Sequence, residues 1–196
     1  MTSGTRQVPA GLPWIVTSGE RDPETVDRLL RLLPDWFGIE SSIVEYVEQA
    51  HELPTYLASP RAGSPTRDWD RQPVGVLLAA RHFPGSAEIH LMAVHPAMRR
   101  GIGRGLVSAL EADLIADRVE LLQVKALGPS RPDASYDQTR QFYTRMGFRP
   151  LEEIHGLWPE NPCLVMVKVL QQDHAHETAR SGIAGIAHLP ALSLVS

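Results

Sequence analysis

Apolar positions along the chain fall into blocks with two different spacings, and the blocks predict alternating helices and strands. Val26, Leu29, Leu30 and Leu33 recur on one helical face. Asp22-Pro23-Glu24 precedes them, supplying a cap, a proline at the first helical position and an early acid. Pro34 ends this helix, and a second around 42–49 carries Ile43, Tyr46 and Val47 on one side. Leu106, Val107, Leu110 and Leu114 form the stripe of a third helix, from about 103 to 118. A fourth is expected over 136–146, closed by Gly147. Shorter apolar runs at 14–17, 53–58, 74–80, 87–94, 121–127, 149–154 and 164–170 read as strands. Pro84-Gly85 between two of them indicates an antiparallel hairpin.

The resulting order, β-α-α-β-β-β-α-β-α-β-β, predicts an α/β fold with a mixed sheet covered by helices. Residues 1–13 read as a polar N-terminal lead-in, 14–170 as the folded domain and 171–196 as a flexible tail holding His174 and His176. Composition narrows the picture. At 43% hydrophobic and 21% charged residues, the chain belongs with folded globular domains and not with disordered ones. Its net charge of −4 argues against a nucleic-acid or anionic-membrane partner, so any basic site must be local. The single cysteine, Cys163, excludes an intramolecular disulfide and a multi-cysteine zinc site, and reads as a small apolar strand residue. No metal is expected. The first residues lack a secretory pattern and no run of about 18 apolar residues occurs, so a cytoplasmic location is expected.

The stretch Val94-His95-Pro96-Ala97-Met98-Arg99-Arg100-Gly101-Ile102-Gly103-Arg104-Gly105 leaves a strand and opens a helix. Unpaired N–H groups at such a helix start favour an anion, and three arginines in six positions add forked donors suited to phosphate. A Walker A loop would need Gly-Lys-Ser/Thr, but Arg104-Gly105-Leu106 follows Gly103. A dinucleotide fingerprint would need glycine where Leu106 stands. The stretch resembles the acyl-CoA pyrophosphate loop of the GNAT N-acetyltransferases, with Met98 at the usual Gln/Arg position and a loop one residue shorter than the common form. Phe142-Tyr143-Thr144-Arg145-Met146-Gly147-Phe148 is similar to the same superfamily's Phe-Tyr-x-x-x-Gly-Phe helix and turn, and 87–94 to its central strand. The resemblance covers about residues 14–170.

That resemblance implies a mostly antiparallel mixed sheet with acyl-CoA held where two parallel strands splay. It implies acetyl-CoA as co-substrate, held by the backbone of Ala93 and Val94 and by Arg99, Arg100, Gly101, Ile102, Gly103 and Arg104. Acetyl transfer to an amine needs a base for the amine proton, a donor for the oxyanion and an acid near the leaving thiolate. By resemblance, Tyr143 is the candidate acid. Strict strand alternation places Glu88, His90 and Met92 on one face and Ile89, Leu91 and Ala93 on the other. Glu88 is the first candidate base, and His90 the alternative base or an acceptor contact. Trp36, Phe37 and Tyr136 are candidate acceptor contacts. The expected acceptor is a small-molecule amine or a protein amine, with a homodimer formed through a sheet edge also open. A CoA-binding module of the same fold without catalysis is the competing reading.

Overall fold

The computed structural model describes residues 4–6, 14–61, 72–98 and 101–171. Eight strands form one sheet in the order β1-β2-β3-β4-β5-β6-β8-β7. They are β1 (Gly4–Arg6), β2 (Trp14–Ser18), β3 (Thr55–Pro60), β4 (Gly75–Phe83), β5 (Ser86–Val94), β6 (Leu121–Leu127), β7 (Arg149–Trp158) and β8 (Asn161–Val169). Four helices join them: α1 (Pro23–Arg31), α2 (Glu40–Gln49), α3 (Ile102–Ala116) and α4 (Ala134–Arg145). Of the neighbouring strands among the described residues only β5 and β6 run parallel, so the sheet is mixed, as the element order predicted, and mostly antiparallel, as the family resemblance implied. No described helix is long and apolar enough to cross a membrane.

The caps lie where their residue types predict. Asp22 accepts a hydrogen bond from the Thr25 N–H at 2.9 Å, and Asp133 caps α4 through the N–H groups of Ser135 and Tyr136. Gly147 ends α4 at φ +91°, a conformation few other residues adopt. Two apolar clusters fill the two faces of the sheet. Val26, Leu29, Leu30 and Ile43 of α1 and α2 pack on Leu57, Val76, Leu78, Leu91 and Ala93. Leu106, Val107 and Leu110 of α3, with Tyr143 and Phe148, pack on Ala87, Ile89, Leu122, Val124 and Met166.

Several boundaries differ from the sequence expectation. Gly4–Arg6 pairs with β2 as an antiparallel strand, within a stretch that composition alone marked as lead-in. The expected loop at 156–162 is absent as such: β7 and β8 extend into one hairpin whose Trp158↔Asn161 pair encloses Pro159 and Glu160. Glu160 takes φ +63°, which lets so short a turn close. The tail beyond residue 171, with His174 and His176, lies outside the described residues.

The departure that matters most lies inside β5. Leu78 pairs with Leu91 and Ala79 with Ile89, so His90 is an extra residue on β5. Such a bulge bends its strand and breaks side-chain alternation. Ile89 and Leu91 accordingly belong to opposite cores, and Met92 joins the Ile89 side. The expected grouping of Ile89, Leu91 and Ala93 on one face is therefore corrected.

Candidate active site

The bulge coincides with the end of the parallel pairing. β5 and β6 are in register from Ser86↔Leu121 to Ile89↔Val124, and both strands continue beyond without pairing to each other. The gap opens into a cleft of about 690 Å³. His90, Leu91, Met92 and Val94 line one side of it, and Val124, Lys125 and Ala126 the other. α4 bridges the opening with Tyr136, Gln141, Phe142 and Tyr143, while Trp36, Phe37 and Tyr46 enter from the α1–α2 side.

Backbone direction can be read from neighbouring hydrogen bonds. The Ala79 N–H donates to Pro54 O (3.0 Å), away from β5, and the His95 N–H donates to Val74 O (2.8 Å). Alternation along paired strands then turns the amides of Leu91 and Ala93 toward β4, and those of Met92 and Val94 toward the open edge. Of the two expected backbone donors, Val94 thus faces the cleft. Ala93 serves the sheet, and Met92 takes its place.

At the same end of the cleft α3 begins. Gly101 is its N-cap at φ +81° and, having no side chain, makes no cap hydrogen bond to the first amides. A Cβ on Gly101 would meet nothing within 4 Å, so the helix start faces open space. Gly103 also lines the cleft, where a Cβ would stand 3.3 Å from the Phe142 ring. Exposed donors at a helix N-terminus, beside exposed Arg104, suit a phosphate group. The Ile102 side chain is buried in the core beneath, which leaves only its backbone at the helix start. Arg99 and Arg100 lie outside the described residues. Open strand edge, uncapped helix start and connecting cleft together fit an extended molecule with amides along its length and phosphates at one end.

Deeper in the cleft, Glu88 is only 3% exposed. Its Oε2 accepts from His82 Nε2 (2.7 Å), Gln123 Nε2 (2.9 Å) and Lys125 Nζ (2.8 Å), and Oε1 accepts from Lys125 at 3.0 Å. Burial alone would raise the affinity of Glu88 for a proton. Nearby His90 and the donors Lys125, His82 and Gln123 more than offset that, holding the carboxyl well below the usual carboxylate range. Such a group stays ionised and is a poor base, which counts against the first expectation for Glu88. His90 is arranged differently. Its Nε2 lies 2.6 Å from Gln49 Oε1 and its Nδ1 3.9 Å from Glu88 Oε1; in the tautomer whose Nε2–H donates to Gln49, Nδ1 carries the lone pair. An imidazolium formed there would sit beside a permanent carboxylate.

Tyr143 is 4% exposed and packs edge-on against Phe142 and Phe148, with ring centroids 5.2 and 5.4 Å away. Burial pushes its phenol pKa up, so the proton stays on the oxygen throughout the neutral range. Trp36 and Tyr136, far apart in sequence, are joined: the Tyr136 hydroxyl donates to Trp36 O at 3.2 Å, and Trp36 Nε1 donates to Thr139 Oγ1 at 3.1 Å. The cleft therefore brings together Trp36, Phe37, Glu88, His90, Val94, Gly103, Tyr136 and Tyr143, all expected from sequence. Sequence reasoning missed Gln49, Tyr46, Lys125, Gln123 and Trp158, which carry no local motif. The period-2 partners of Glu88 across β6 were the one signal for Gln123 and Lys125. Cys163, fully buried on β8, has its thiol pKa raised by burial and takes no part.

Residues 67–150 match the family model of the acetyltransferase (GNAT) domain. Solved structures share the fold. A GNAT-family protein from Desulfovibrio desulfuricans aligns with a TM-score of 0.62 at 16% identity, over 80% of this chain and 99% of that one. Arabidopsis thaliana NAA60 in complex with acetyl-CoA aligns with a TM-score of 0.59 at 15% identity, over 79% and 98%. An aminoglycoside 6'-N-acetyltransferase complexed with coenzyme A aligns with a TM-score of 0.58 at 20% identity, over 80% and 97%. Comparison of the sequence with curated proteins finds no match.

Proposed function

We propose that the chain, whose residues 67–150 match the GNAT acetyltransferase domain, is an acetyltransferase of that family and transfers the acetyl group of acetyl-CoA to a primary amine by direct attack. The observation that carries this reading is the splay of β5 from β6 at the His90 bulge, which leaves an open strand edge leading to the uncapped start of α3. Acetyl-CoA supplies an activated thioester. The acceptor supplies the amine, and the chain supplies the positioning, the proton transfers and the charge stabilisation.

The amides of Met92 and Val94 offer donors to an amide-bearing arm laid along β5 as an added strand. One of them also supports the oxyanion that forms when the amine attacks. The first amides of α3, with Arg104, hold the phosphates. His90 takes the proton that the amine must shed, directly or through a water, and Glu88 stabilises the resulting imidazolium by its fixed negative charge. Tyr143 gives its proton to the departing thiolate as the C–S bond breaks, and regains one from solvent. Held together in one cleft, the reactants need little further ordering to react.

The test is free-thiol release from acetyl-CoA across a panel of amines, with calorimetry of acetyl-CoA alone. Binding with amine-dependent thiol release is expected. Absence of acetyl-CoA binding would overturn the proposal. Binding without release from any amine would instead leave a CoA-binding module.

A further inference from the structure

The acceptor end of the cleft has a charge pattern and a wall chemistry that together restrict what fits. Glu88 is the one acid lining the cleft among the described residues, and its oxygens are already occupied by His82, Gln123 and Lys125. Lys125, which also lines the cleft, is the cation paired with Glu88 at 2.8 Å, so a cationic ligand meets no free carboxylate there. A substrate with several ammonium groups would enter without a counter-charge for any of them.

The walls are rings, and neighbouring contacts hold them in place. Phe37 meets Tyr46 edge-on at a 6.0 Å centroid distance, and Tyr46 meets the His90 ring at 5.6 Å. Trp36 and Tyr136 are locked to each other by the hydrogen bond already described. Trp158, the last residue of β7, also lines the cleft. These rings come from four separate parts of the chain and line the same cleft as His90, with Tyr46 in contact with the imidazole. Fixed rings accept a flat ring by offset or edge contact, each contact adding on the order of 2- to 10-fold in binding. They also tolerate a single ammonium through cation–π attraction until its proton is removed.

We propose that the acceptor is a monoamine carried on an aromatic body, and that the cleft discriminates against polyamines. This rests on the acetyl-transfer reading above and goes further by naming the acceptor's chemical class.

The experiment compares kcat/KM for 2-phenylethylamine, n-butylamine and spermidine at saturating acetyl-CoA, with the wild type and with Phe37→Ala and Trp158→Ala. We expect 2-phenylethylamine to exceed butylamine by at least about 10-fold and spermidine by about 100-fold. Each variant should shrink the aromatic-to-aliphatic ratio severalfold while acetyl-CoA affinity is retained. Spermidine turned over as well as the aromatic amine, or an aromatic preference unchanged in both variants, would overturn the inference and leave acetyl transfer standing. No thiol release with any amine would overturn the acetyl-transfer reading, and this inference with it.

Discussion

On the β5–α3 side of the cleft, the ligand-facing groups are main-chain amides: those of Met92 and Val94 on the open strand edge, and the first amides of α3 after Gly101. On the opposite side they are side chains, brought in by the α1–α2 connection, α2, α4 and the end of β7. The first side tolerates sequence change wherever the backbone path survives, because any residue carries an amide. The second depends on the identity of each residue. A common cofactor and a private acceptor would be served by just this division of labour.

Substitutions should separate the two sides. The largest effect is expected from His90→Ala, which removes the proposed base and leaves the β5 amides in place. Turnover should fall by about 10³-fold with acetyl-CoA affinity nearly unchanged, measured by steady-state kinetics beside calorimetry. A wild-type rate would return the role of base to Glu88 or to water.

Glu88→Gln should act on stability. It strands Lys125 beside an amide in place of a carboxylate, at a cost of about 3 kcal/mol and a fall in Tm on the order of 10 °C. The pH dependence gives a sharper reading. A carboxyl whose pKa is depressed by folding contributes stability above its unfolded pKa, about 4.3, and loses that contribution as pH falls through the lower folded value. The stability gap between wild type and Glu88→Gln should thus be constant from pH 7 to about 5 and narrow below about 4. A gap that instead changes between pH 7 and 6, widening as pH falls, would mean that folded Glu88 takes up a proton near neutrality and is fit to be a base.

Tyr143→Phe should lower turnover by about 10²-fold while acetyl-CoA binding and Tm change little, since the ring contacts to Phe142 and Phe148 remain. Unchanged turnover would leave Tyr143 a packing residue. The smallest effect is expected from Arg104→Ala. This exposed arginine at an uncapped helix start should contribute a few-fold to acetyl-CoA affinity, and less in high salt.

The same division explains what the sequence revealed. The cofactor side rests on contiguous residues, so the glycine and arginine pattern from Val94 to Gly105 was visible in one stretch. The helices were legible because their apolar stripes and caps are local, and Asp22, Asp133 and Gly147 all act as their types predict. The bulge at His90 was not legible. No composition marks an extra residue in a strand, and a one-residue slip reversed the face assigned to Leu91 and Ala93. That slip also hid which amides face outward. Trp36, Phe37 and Tyr136 were singled out, but nothing local joined them to one another or to Tyr46 and Trp158, because tertiary packing alone brings those rings together. Glu88 was visible as an acid on the right strand. Its three donors come from β4 and β6, and they turn it from a base into a fixed charge.

Amide hydrogen exchange, followed residue by residue with and without saturating acetyl-CoA, tests the central claim most directly. Ala93 should be protected in both states, because its N–H is already used by β4. Met92 and Val94 should exchange readily in the free protein and become protected when acetyl-CoA is added. Met92 and Val94 amides that exchange at the same rate in both states would contradict the placement of the cofactor along the open edge of β5.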